Sequence, residues 1–130
     1  MKDISYRLRV SEMQLNLICE AVEEYFRLRM GQDMRFCDDL AKMDRDISKN
    51  NRELEQYIER RNHMHEVMKS LFMIAFEPHG YPKKKTDKML IAEDIWDVIR
   101  VATGQSMWET PLHVGSEPLI LIENLEGEEE

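Results

Sequence analysis

Residues 52–76 read RELEQYIERRNHMHEVMKSLFMIAF. Leu54, Tyr57, Ile58, Met64, Val67, Met68, Leu71, Phe72, Ala75 and Phe76 recur at intervals of three and four. That spacing collects side chains on one face of an α-helix. At 1.5 Å per residue the helix spans about 38 Å, which is long for a single small domain. Its second half is more apolar than its first. The polar first half would project into solvent or pair with another copy of the chain. Leu54, Tyr57, Ile58 and Met64 are the residues expected to form a self-association face.

Upstream, Ser48, Lys49, Asn50 and Asn51 break the helical pattern, and residues 32–46 form a weaker helix with Met34, Cys37, Leu40 and Ala41 facing inward. Before it, Ser11 followed by Gln14 is a capping box, and it opens a helix whose apolar stripe is Ile18, Ala21, Val22, Tyr25, Phe26 and Met30. Gly31 supplies the residue after its end that takes a positive φ without strain. At the N-terminus Ile4, Tyr6, Leu8 and Val10 alternate with Ser5, Arg7 and Arg9, the period of a half-buried strand.

Downstream, Pro78, Gly80 and Pro82 stop the long helix, and Thr86 caps a fourth helix carrying Ile91, Ile95, Val98, Ile99 and Ala102 and ending at Gly104. Leu119 to Ile122 would form a second short strand. Paired with residues 4–10, it would join the chain ends in a small two-stranded sheet. The fold expected is mainly α, with four helices and that sheet, in one domain over residues 1–122. Residues 123–130 form an acidic flexible tail.

Composition agrees. The 130 residues suit one domain, and a hydrophobic fraction of 42% fills one core without disulfides or a structural metal. Ten methionines suit either an irregular core or an adaptable contact surface, and the core is the default expectation. Cys19 and Cys37 form no CxxC pair and read as free buried thiols in a reducing compartment. The longest apolar run, residues 70–76, is far short of a membrane span, and the N-terminus lacks the apolar centre of a signal peptide. A cytoplasmic protein is expected.

The net charge is −8, but six acids from Glu117 onward carry most of it, leaving 20 acids against 18 bases in the body. A nearly balanced body offers no basic surface for nucleic acid.

Catalytic and metal constellations are missing from the pattern. His63 and His65 lie about 200° apart around a helix and cannot face one metal. No HExxH, GxSxG or Walker spacing occurs. Asp94 and Asp97, followed by Arg100, read as ordinary helical charge pairing. No cofactor is implied, and an enzyme is not expected.

Two segments could hold a ligand. Residues 104–118 are too long to be a plain connection, and they set polar groups such as Gln105, Thr110, His113 and Ser116 around Trp108. The segment reads equally as a strap that only packs Trp108 on the helices. The second segment is Lys83-Lys84-Lys85-Thr86, a basic turn at a helix N-terminus, where amides attract phosphate. It reads also as a solvated turn. Arg27, Arg29 and Arg35 form another basic group, expected to pair with acids such as Glu23 and Glu24. About 25 Å of helix separates the lysine turn from the Trp108 loop. One cavity would need the loop to run back along the helix, or two copies to pack antiparallel.

Residues 24–32 (EYFRLRMGQ), 95–100 (IWDVIR) and 113–119 (HVGSEPL) resemble an uncharacterised group of small proteins encoded by phages and mobile elements of Gram-positive bacteria. The similarity covers most of the chain and carries over no site residues. It implies an accessory, anti-defence role in the host cell, exerted in one of two ways. One is sequestration of a phosphate-bearing nucleotide signal. Trp108 or Tyr81 would then stack on a base, Lys84, Lys85 or Arg29 would hold phosphates, and His113 would line the same cavity. The other is blockade of a host protein by the long helix, its methionines and the acidic surface.

Overall fold

The computed structural model describes residues 4–43, 45–47, 50–77 and 80–125. The expectations placed on Ser48, Lys49, Pro78 and residues 126–130 lie outside them. Four helices form the regular structure: α1 (Glu12–Arg29), α2 (Met34–Lys42), α3 (Asn51–Ala75) and α4 (Asp87–Ala102).

The caps explain the boundaries. Ser11 Oγ accepts from Gln14 N at 3.1 Å while Gln14 Oε1 accepts from Ser11 N at 2.8 Å, satisfying two free amides of α1 at once. At the other end Gln32 N donates to Arg27 O and Gly31 N to Leu28 O, with Gly31 at φ +75. This is a Schellman ending. Asn50 Oδ1 accepts from Arg52 N and Glu53 N to open α3, and Thr86 Oγ1 accepts from Met89 N to open α4. The second helix is shorter than the expected residues 32–46, because Met43 turns left-handed at φ 51.

The helices form two hairpins. α1 and α4 run antiparallel: Phe26 packs with Met89 and Ala92 near one end, and Gln105 Nε2 reaches Asn16 Oδ1 at the other. Val22, Tyr25, Met30 and Trp96 complete that cluster. α2 lies on α3 around Ala41, Ile47, Tyr57 and Met64. Among the described residues the backbone of α3 approaches α2, and neither α1 nor α4. The hairpins meet at a polar seam. Buried Glu23 accepts from Trp96 Nε1 at 3.0 Å and pairs with Arg27 at 2.7 Å and Arg35 at 3.3 Å.

The small terminal sheet is not formed: the described residues contain no strand. Residues 4–10 are exposed and lie in no regular element, and residues 119–122 pair with nothing as a strand. The antiparallel hairpin is the cause. Residue 11 enters α1 beside the C-terminal end of α4, whereas by Ser116 the chain has returned to Asp87 at the opposite end of α4. Alternation marks a segment able to pair, and about 24 Å of helix separates the place where residue 11 enters α1 from the place that Ser116 reaches.

The methionines also depart from expectation. Met89 is the buried one among those described, while Met13, Met34, Met43, Met73 and Met107 are exposed.

Cys37 is fully buried, and its Sγ donates to Asp33 Oδ2 at 3.2 Å. Burial, then that hydrogen bond and the Asp33 charge, push the thiol up to about 12. Burial, followed by the Glu23 charge, also raises Cys19. Because the thiolate is the reactive form, Cys37 is expected to resist a thiol reagent at about pH 8 and to label at the rate of unfolding. Stopped-flow labelling checks this; native-state reaction at a free-thiol rate would contradict it.

Candidate functional site

Residues 105–118 form a strap that runs back along α4, one of the two routes open from the sequence. Three carboxylates of α4 fasten it through backbone amides. Asp97 Oδ2 accepts from Leu112 N at 2.6 Å. Asp94 Oδ1 and Oδ2 accept from Val114 N and Gly115 N, each at 2.8 Å. Asp87 accepts from Ser116 N at 3.0 Å and from Ser116 Oγ. Asp94 and Asp97 are buried. Buried carboxylates demand donors, and a loop without secondary structure of its own has amides to give, so each satisfies the other. Gly115 is the point of closest approach: a Cβ there would stand 2.8 Å from Ile91 N.

Asp94 and Asp97 are therefore strap anchors and not partners of Arg100. That guanidinium lies over the Trp96 ring at 4.6 Å and donates to Gln105 O at 2.8 Å. The signal available in the sequence was the spacing of Asp87, Asp94 and Asp97, which places them on one side of α4 facing an irregular segment.

The strap turns its apolar side chains outward. Met107 is 93% and Trp108 67% exposed, and Leu112 and Val114 are exposed beside them. Held by its main chain, the strap presents a row of apolar groups on a fixed support.

The six residues singled out from the sequence are distributed as follows. Arg29, Tyr81, Lys84 and Lys85 fall at the end of the α1–α4 hairpin where α1 finishes and α4 starts. Arg29 stacks on the Tyr25 ring at 3.6 Å. Tyr81 packs edge-on against Phe76 and Phe72, with ring centroids 5.1 and 6.1 Å apart. Lys84 is exposed, and Lys85 pairs with Glu93. Trp108 precedes the anchored run and stays at the far end of α4, where its amide donates to Ser106 Oγ. His113 lies between, its Nε2 2.7 Å from Glu117 O. One chain thus brings the lysines near Tyr81 and Arg29, and does not bring them to Trp108.

Among the described residues, no group of three or more His, Cys, Asp and Glu side chains could hold a metal ion, and no helix is long and apolar enough to cross a membrane. No protein-family model, curated protein or solved structure matches the chain.

Proposed function

We propose that this chain acts by binding a protein, with the strap apex, Met107 and Trp108, as the centre of the contact. The observation that carries this reading is the outward row of Met107, Trp108, Leu112 and Val114 on a loop fastened by buried carboxylates. Tryptophan is among the residue types enriched at binding hot spots. The exposed methionines add adaptable contact area. On α3, Val67, Leu71 and Ile74 follow one another at four and three residues and are all exposed, a second apolar stripe suited to the same partner or to another copy of the chain. The resemblance to phage-encoded proteins makes the partner a host protein, and the outcome of binding its inhibition.

Sequestration of a phosphate-bearing nucleotide is the second reading. Its support is the grouping of Arg29, Tyr81, Lys84 and Lys85 at one end of the hairpin, and it needs Trp108 from a second copy.

The two readings separate on variants. Trp108→Ala is expected to weaken capture of a host protein by about thirtyfold, the loss typical of a hot-spot residue. Replacing Lys84 and Lys85 with glutamate should leave capture near the wild-type level. Biolayer interferometry with the captured partner reads both. Undiminished affinity in a folded Trp108→Ala protein would sink the protein-binding reading.

A further inference from the structure

The seam between the two hairpins holds a cleft of about 760 Å³, within the range of small-molecule sites. Its polar groups are layered. The floor is acidic: the side chains of Glu23 and Asp33 are 5% and 3% exposed. Glu23 is held by Arg27, Arg35 and Trp96, and Asp33 by Cys37 and by His65, whose Nδ1 is 2.6 Å from Oδ2. The rim is basic: Arg27, Arg35 and Arg61 come from α1, α2 and α3 with side chains 36%, 47% and 29% exposed. Asp38 is the one further acid in the lining, 3.8 Å from Arg61.

One donor beside this cleft lacks a partner. Arg61 Nε is buried and has no hydrogen-bond partner, a costly state for a guanidinium nitrogen. Asp33 holds the His65 ring through Nδ1.

We propose that this cleft binds the phosphate of a small phosphomonoester, a nucleoside monophosphate being the size that fits. Fork-shaped guanidinium groups from three helices suit a tetrahedral dianion better than lysines do. Glu23 orients the Arg27 and Arg35 forks, and Asp39 and Asp38 lie at the longer distance of 3.8 Å from Arg35 and Arg61. This site shares no residue with the strap apex or with the lysine turn, so it stands or falls apart from either reading of function.

Calorimetric titration of the full chain with adenosine 5′-monophosphate, inorganic phosphate and adenosine tests it, with chloride matching the ionic strength. Binding of the first two and not of adenosine is expected. Arg61→Gln and Arg35→Gln, each checked for native circular dichroism, should weaken binding about tenfold or more. The Lys84→Glu/Lys85→Glu protein should bind like wild type. Three results would overturn the proposal: no heat from either phosphate at millimolar concentration, equal binding of adenosine, or loss in the lysine variant with wild-type affinity in both arginine variants. Should Arg61→Gln fail to fold, the Arg35→Gln comparison decides alone.

Discussion

Asp94→Asn is expected to release the strap and to lower stability by about 2–4 kcal/mol. Asp94 meets two backbone amides with two oxygens, one each. Asparagine keeps a single oxygen and aims an NH2 group at the second amide. One of the pair, Val114 N or Gly115 N, then faces a donor in a buried setting, and hydrogen bonds to a charged acceptor are the stronger kind. The chain escapes by lifting the strap into water, which sets the upper limit of the cost. Urea unfolding measures the loss, and amide exchange at Val114 and Gly115 locates it. Unchanged protection at those two amides would show that the carboxylate does not hold them.

Gly31→Ala is the second substitution expected to be severe, at about 2–3 kcal/mol. Two independent demands meet at this residue. The Schellman ending of α1 needs φ +75, and a Cβ would stand 2.4 Å from Tyr81 Cε2. Left-handed backbone costs an L-residue about 1–2 kcal/mol. The remainder comes from displacing Tyr81, which uncovers Phe76 and Phe72. Gly104 is the internal control. It has nearly the same φ, +73, but nothing lies within 4 Å of the Cβ it would gain. Gly104→Ala should therefore cost the backbone share alone, about 1 kcal/mol. Equal effects at the two glycines, measured by chemical denaturation, would remove Tyr81 from the account.

What could be read from the sequence follows the range of the forces involved. Caps are local, so Ser11 with Gln14, Thr86 and Gly31 fixed helix ends that the structure retains. The short end of α2 was not legible, because Met43 takes a conformation that its residue type does not favour. Residues 4–10 carry a true strand period, and pairing failed for lack of a neighbour, a fact of topology that no window of sequence contains. The anchors of the strap were hidden for a similar reason. Asp94 and Val114 are 20 residues apart, and a carboxylate that accepts main-chain amides leaves no periodic trace. The cleft at the seam is harder still. Asp33 and His65 meet across 32 residues, and helical spacing around His63 and His65 says nothing of a carboxylate on another element.

Every anchor of the strap but one engages a main-chain amide, and main-chain amides are common to all residue types except proline. The grip is therefore blind to the side chains at 107, 108, 112 and 114. Those positions can be rewritten without loosening the loop, as hypervariable loops are rewritten on an unchanging immunoglobulin framework. Gly115, pressed against Ile91, is the position in that run where the main chain itself forbids a side chain. A protein built this way separates what it holds itself together with from what it shows to a partner, so its recognition surface is free to follow a partner that changes.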